Sequence, residues 1–113
     1  MKNSTSTLAI LTAALFLTAA ASASAAEPKE IWDKQCAKCH GPDGKGDTKM
    51  GKKLGLKDFT DAKVQADLKE DEMLAAIKTG IKDKQGVVRM KAPEGVSDDE
   101  AKALVQYVRK FKP

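Results

Sequence analysis

Two cysteines and a histidine stand together at 36–40, in the order Cys-Ala-Lys-Cys-His, and they constrain this chain more than any other feature. On a helical turn, thiols at positions i and i+3 project from one side. A structural zinc site needs four ligands, but these two cysteines and the single histidine of the chain supply only three. A disulfide, or a thioredoxin-type redox centre, is the other alternative. The redox centre needs a βαβ context, and the sequence has no alternating strand pattern.

The spacing C-x-x-C-H is the signature of covalent haem attachment. The thiols of Cys36 and Cys39 can both add to vinyl groups of one haem, and the imidazole of His40 can then reach the iron. The motif therefore predicts one haem c, with Cys36 and Cys39 as thioethers and His40 as the proximal iron ligand.

The N-terminal segment is typical of a secretory signal peptide. Lys2 is its only charge before Glu27, and residues 8–21 form an almost unbroken apolar run. Overlapping small-residue sites predict cleavage after Ala25 or Ala26, which divides the chain into a leader (1–26) and one domain (27–113). The predicted location is periplasmic, with no membrane insertion after cleavage. A retained membrane anchor is the alternative, because residues 3–26 are uncharged and long enough to cross a bilayer.

The predicted domain has few side chains with which to build a core. Beyond residue 26, only 18 larger aliphatic or aromatic residues remain once Ala, Met and Cys are set aside. Domains of this size often need a disulfide, a metal or a cofactor to fold stably. We therefore expect the haem to fill part of the core, and the length excludes a multi-domain enzyme.

The second axial ligand must come from another side chain, from water or from an open position, because His40 is the only histidine. A methionine sulfur is the usual choice in a c-type electron carrier. Met73 is spaced for core packing against Ile77, and Met50 follows His40 too closely to reach the opposite haem face. Met90 lies fifty residues beyond His40 in an irregular stretch. We predict Met90 as the distal iron ligand.

Helical patterns dominate the rest of the chain. Residues 97–100 form a capping box, and apolar residues at helical spacing follow it up to Phe111. An N-terminal helix is predicted from Pro28 to Cys39, with Trp32 packed against the last helix near Tyr107 or Val108. A helix over 70–80 and a short helix from residue 60 complete the prediction, which contains no strand.

These motifs, in this order, resemble the small class I cytochromes c of bacteria over essentially the whole predicted domain. The resemblance rests on the haem motif and on the segments at 32–35, 41–47, 58–61, 89–90, 97–100 and 107–109. It implies an all-α class I cytochrome c fold, with three to five helices around one covalently bound haem and crossing N- and C-terminal helices. It also implies axial ligation by His40 and Met90.

The chain departs from the family pattern at two places. Family members often have proline directly after the ligand methionine, whereas Lys91 and Ala92 here precede Pro93. They also often have a mid-chain proline whose carbonyl orients the ligand imidazole, and none follows Pro42 before Pro93. A carbonyl within 51–56 is therefore expected to accept the ring proton of His40.

The predicted function is that of a soluble periplasmic carrier of single electrons, not of an enzyme. There is no second histidine for acid–base work, and the chain is too short for a substrate pocket beyond the haem crevice. A haem sensor or peroxidase-like protein with an open sixth site is the alternative. Nucleic-acid binding is not expected, because 19 basic and 16 acidic residues after position 26 leave only +3 before the haem propionates.

The expected partners are redox proteins, an electron donor and a terminal oxidase or reductase, with an acidic docking face. Six lysines lie within twenty residues that include the haem motif, against only two aspartates. Together they would steer such a partner electrostatically. We call them the lysine set: Lys38, Lys45, Lys49, Lys52, Lys53 and Lys57.

Overall fold

The structure, a computed structural model, describes residues 13–16 and 26–112. Most of the predicted leader, with its cleavage sites up to residue 25, lies outside the described residues. Within the described part of the chain, no helix is both long enough and apolar enough to cross a membrane.

The N-terminal helical segment has three parts. Helix α1 (Pro28–Ile31) leads into a π-helical turn (Trp32–Cys36), which continues as α2 (Ala37–His40). Pro28 sits in the first turn, where its missing N–H costs nothing. The helix predicted from the sequence is therefore confirmed, although the wider π turn was not expected. Such turns often mark functional sites, and this one ends at the first cysteine of the haem motif.

Three helices form the middle of the chain: α3 (Lys49–Leu54), α4 (Ala62–Asp67) and α5 (Glu70–Thr79). Side-chain oxygens of Thr48 and Asp61 cap the first two by accepting backbone N–H donors. The predicted helix over 70–80 is confirmed, with its last helical residue at Thr79, and the short helix expected from residue 60 begins two residues later.

A short β-hairpin follows α5, and here the sequence prediction was wrong. Strands β1 (Ile81–Lys82) and β2 (Val88–Met90) pair in antiparallel fashion, with Ile81 opposite Met90. Strands of two and three residues are too short to display alternation. The hairpin is set instead by Asp83, whose carboxylate accepts backbone N–H donors from Gln85 and Val87.

Helix α6 (Asp98–Arg109) has the predicted capping box. The Ser97 hydroxyl accepts from the Glu100 N–H at 3.1 Å, while the Glu100 carboxylate accepts from the Ser97 N–H at 3.0 Å. The buried face of this helix comprises Ala101, Leu104, Val105 and Val108.

The core lies where α1 and α5 pack against α6. Trp32 is only 3% exposed, and its ring centroid lies 5.7 Å from that of Tyr107 and 5.0 Å from that of Phe111. This confirms the predicted packing of Trp32 on the last helix, as well as the all-α class with packed terminal helices. The core extends to His40, where the site begins.

Candidate haem site

The haem motif occupies the end of the N-terminal helical segment, and hydrogen bonds from the following loop hold its backbone. The Thr48 hydroxyl donates to the Cys39 carbonyl at 2.6 Å, and the Gly46 N–H donates to the His40 carbonyl at 2.7 Å. The indole N–H of Trp32 donates to the Gly41 carbonyl at 3.0 Å. Three hydrogen bonds thus hold the turn that carries both thiols and the imidazole.

Gly51 allows this loop to close tightly. A Cβ added at Gly51 would collide with the carbonyl oxygens of Gly46 and Cys39. Because both oxygens belong to backbone, neither can move away cheaply. The absence of a side chain at Gly51 therefore lets α3 lie directly against the haem motif.

The imidazole of His40 lies in an aromatic environment. Its ring stacks on Phe59 with centroids 5.1 Å apart, and Trp32 lies 5.6 Å away. Burial lowers the pKa of His40. The ring is therefore neutral at neutral pH, and neutral imidazole is the form that binds a metal.

The Nδ1 atom of His40 is buried and has no hydrogen-bond partner among the described residues. The expectation that a carbonyl within 51–56 would accept its proton was therefore wrong. The carbonyls of Gly51 and Lys52 instead accept backbone N–H donors of Leu56 and Gly55, which close the end of α3. These two carbonyl oxygens therefore serve to close the end of α3.

The two cysteines are free thiols in this structure. Burial, together with the neighbouring Cys39, raises the pKa of Cys36 to about 11. A redox-active C-x-x-C pair instead relies on a lowered thiol pKa. No group of three or more His, Cys, Asp or Glu residues within the described chain is arranged to hold a metal ion. The surroundings of the thiols thus favour neither the redox centre nor the zinc site.

Two adjacent cavities open beside these groups. The smaller, of about 210 Å³, is lined by both cysteines, and the larger, of about 380 Å³, extends along α5. Most of the side chains along them are apolar, as is typical of cofactor sites. The residues that line both cavities are His40, Leu56, Ile81 and Met90.

The three candidate methionines occupy different positions. Met90, on β2, lines both cavities together with His40. Met73 lines only the larger cavity and is part of the core, at 9% exposure, which confirms its predicted packing role. Met50 is 39% exposed and lines neither cavity.

Gly80 holds the Met90 strand close to the end of α5. Its φ of +74° and ψ of −175° belong to a region that is essentially restricted to glycine. A Cβ added there would lie 2.5 Å from the Met90 carbonyl oxygen and 3.1 Å from the Ala92 nitrogen. Any other residue at position 80 would therefore push the Met90 backbone away.

Sequence reasoning did not single out Leu56 or Ile81 as cavity residues. Both are isolated apolar residues in short irregular or strand segments, and Ile81 remains 46% exposed. The signal for Ile81 is structural: an exposed isoleucine beside a cavity indicates that an apolar ligand covers its side chain when bound.

The residues present fit a haem. Two thiols, a neutral imidazole with an unpartnered buried nitrogen, and apolar cavity walls all meet at one place. These are the donors and surroundings that a covalently attached porphyrin requires.

Comparison with known proteins supports the same assignment. The family model described as cytochrome c oxidase, cbb3-type, subunit III matches residues 23–108. The solved KustC0563 c-type cytochrome is 32% identical with a TM-score of 0.65, and the match covers 78% of this chain and all of that one. A single-residue mutant of Kustc0563 is also 32% identical, with a TM-score of 0.62 over 77% of this chain and all of the mutant chain.

Among curated proteins, none matches this sequence. The family match covers most of the chain, and the solved structures share the fold as well as a third of the residues. The chain therefore belongs to the small class I c-type cytochromes, which are electron-transfer proteins that carry one covalently attached haem c.

Proposed function

We propose that this cytochrome is a periplasmic carrier of single electrons and not an enzyme. Cys36 and Cys39 hold the haem through thioethers, and His40 and Met90 are its axial ligands. When bound, the haem supplies an iron atom that accepts one electron from a reduced partner and gives it to an oxidised one.

The chain contributes uncharged ligands and a largely apolar setting. His40 is held in its neutral form by burial, and the thioether of Met90 adds no charge. The aromatic ring of Phe59 and the aliphatic side chains of Leu56 and Ile77 give the larger cavity apolar walls, while Lys57, Lys69 and Glu72 lie along its rim. With both axial positions occupied by the protein, no substrate coordinates the metal.

The observation that carries the proposal is the position of Met90. It lines both cavities with His40, whereas Met73 lines only one and Met50 lines neither. The neighbouring strand residue Arg89 and Cys36 also line the smaller cavity, so Met90 lies beside the attachment site. This placement favours Met90 as the ligand opposite His40.

The test compares Met90→Ala with Met73→Ala in protein matured in a bacterial periplasm. We expect Met90→Ala to abolish the weak far-red sulfur-to-iron absorption of the oxidised protein and to lower the reduction potential. Met73→Ala should keep that band and cost about 2–5 kcal/mol of stability, because it leaves a core cavity. Survival of the band in Met90→Ala would exclude Met90 as the ligand and leave Met50 as the next candidate.

A haem sensor or peroxidase-like protein would have an open sixth site. The discriminating measurement is carbon monoxide binding to the reduced protein at neutral pH, which a methionine-ligated carrier resists. Rapid binding to the unmodified protein would favour the alternative.

Export is tested on the same preparation by mass spectrometry under denaturing, reducing conditions. We expect a chain that begins at Ala26 or Glu27 and carries the mass of one haem. A longer chain that retains the leader would instead indicate a membrane anchor, and the mass of a bare polypeptide would contradict covalent attachment.

We further propose that the lysine set forms the docking face for redox partners with an acidic surface. All six of its lysines are exposed. Lys52 is paired with Asp47 at 3.0 Å, and Lys57 lines the larger cavity. These positions put positive charge around the loop that holds the haem motif, where steering can raise association rates by about one to three orders of magnitude.

Steering of this kind is screened by salt, so electron exchange with an acidic redox partner should slow from low to moderate ionic strength. Replacing Lys49, Lys52 and Lys53 together by glutamine should weaken this dependence. The matched control replaces Lys63, Lys78 and Lys102, which changes net charge equally outside the lysine set. Equal effects of the two triple variants, or a rate independent of salt, would contradict the docking face and leave the haem assignment intact.

A further inference from the structure

Gln35 links the helix that carries the haem motif to the segment that follows Met90. Its side-chain amide donates to the Glu94 carbonyl at 2.9 Å, and its side-chain oxygen accepts the Glu94 N–H at 2.7 Å. The two residues are 59 positions apart in the sequence. We call this reciprocal pair of hydrogen bonds the Gln35 clamp.

The clamp has little help in holding this segment. Among the residues that the structure describes, the hydrogen bonds that segment 91–96 makes are the two to Gln35. The Lys91–Glu94 ion pair, at 3.5 Å, lies within the segment and joins it to nothing else. Upstream, the strand that ends at Met90 belongs to a hairpin with exposed Val87 and Val88. Between Met90 and Val96, which packs against the core, the hydrogen bonds that hold the backbone are therefore those of the clamp.

The clamp also lies within the candidate haem site. Gln35 precedes Cys36 in the chain and lines the smaller cavity together with Met90 and Pro93. An attachment here fixes the Met90 segment to the same helical turn that fixes the haem. The distance between these two elements determines whether the Met90 sulfur stays within reach of the iron.

We infer that Gln35 is a positioning residue that keeps Met90 on the iron by clamping segment 91–96 to the haem-binding helix. This inference rests on the proposed ligation by Met90. Loss of the clamp favours a state in which the segment lifts and Met90 leaves its coordination position. Gln35 itself contacts neither the electron donor nor the acceptor in this role.

Both partner atoms on residue 94 belong to the backbone, which makes the clamp insensitive to the Glu94 side chain. An amide at position 35 is specifically required, because it both donates and accepts. A carboxylate at that position can accept the Glu94 N–H but cannot donate to its carbonyl. The effect of a substitution at position 35 should therefore increase with the number of hydrogen bonds to Glu94 that it removes.

The experiment measures carbon monoxide binding to the reduced protein and the far-red sulfur-to-iron band of the oxidised protein. For Gln35→Ala we expect binding about tenfold faster and a weaker band, since two hydrogen bonds no longer oppose the lifted state. Gln35→Glu should fall between Gln35→Ala and the unmodified protein. Glu94→Gln, and Gln85→Ala on the hairpin, are the controls and should leave both readouts unchanged.

The outcomes separate this inference from the proposed function. If the unmodified protein lacks the band, or Met90→Ala retains it, the proposed ligation fails. If the band depends on Met90 but Gln35→Ala binds carbon monoxide no faster than Gln85→Ala, the clamp is wrong. Should Gln35→Ala fail to mature, Gln35→Glu decides the question, because unchanged binding in that variant also overturns the inference.

Discussion

The two sides of the site are built very differently. On the side of His40, the π turn, α6 and the aromatic rings of Trp32 and Phe59 form a buried core. On the side of Met90, a short hairpin over 81–90 presents exposed apolar side chains, and the Gln35 clamp holds the segment 91–96 that follows it. We call these the core side and the hairpin side.

This difference separates two tasks. In the proposed ligation, the core side carries the covalent attachment and the proximal ligand, and the packing that fixes its geometry does not depend on the hairpin. The hairpin side has little buried area of its own, and regions with few buried contacts open at low free-energy cost. We therefore expect the haem to stabilise the hairpin side more than the core side.

The largest effect should come from removing the group that joins the two sides. Replacing Cys36 and Cys39 together by serine eliminates covalent attachment, and the 18 larger apolar residues beyond position 26 must then support the fold alone. We expect a largely unfolded chain, measured by circular dichroism and denaturant titration. A cooperative transition like that of the unmodified protein would show that the core side folds without haem.

A smaller effect should distinguish the packing of the two sides directly. Leu104 is 1% exposed in the core, so Leu104→Ala should lower the free energy of unfolding by about 2–5 kcal/mol. Val88, on the hairpin, is 55% exposed, and Val88→Ala should change it by less than about 0.5 kcal/mol. Denaturant titration of both haem-loaded variants measures the contrast, and equal losses would remove the distinction between the sides.

At the junction between the two sides we expect a smaller loss of stability than for Leu104→Ala, together with a spectroscopic signature. Gly80→Ala imposes a strained backbone and a contact with the Met90 carbonyl, so we expect a cost of about 1–3 kcal/mol and a weaker sulfur-to-iron band. The control is Gly55→Ala, where φ is also positive but nothing lies within 4 Å of the added carbon. It should cost stability and leave the band unchanged. An unchanged sulfur-to-iron band in Gly80→Ala would contradict a role of this glycine in positioning Met90.

Local sequence signals were sufficient where one short segment carries its own physical reason. The capping box at Ser97 and Glu100 satisfies the first turn of α6 from within four residues, so its start is evident from the sequence. Helical periodicity likewise identified the buried face of α6 and the helix that contains Met73. The haem motif was identifiable because its two thiols and its imidazole lie within five consecutive residues.

Features that depend on residues far apart in the sequence could not be predicted from local patterns. The hairpin has no periodic pattern, and the contacts of the buried His40 Nδ1, which lacks the expected carbonyl partner, depend on how α3 packs against the haem motif. The Gln35 clamp joins residues 59 positions apart, and the role of Gly80 depends on a strand ten residues later. No local pattern specifies such pairs.

The sequence by itself determined the cofactor and the helical class and predicted which residues hold the haem, since two thiols and an imidazole within five residues and a repeated helical spacing carry that chemistry. Tertiary structure decided which apolar residues line the cavities, which methionine lies beside His40 and what holds the Met90 segment in place. Those choices depend on how elements far apart in the chain pack together. Packing contacts between such elements, unlike caps and motifs, leave no short pattern in the sequence.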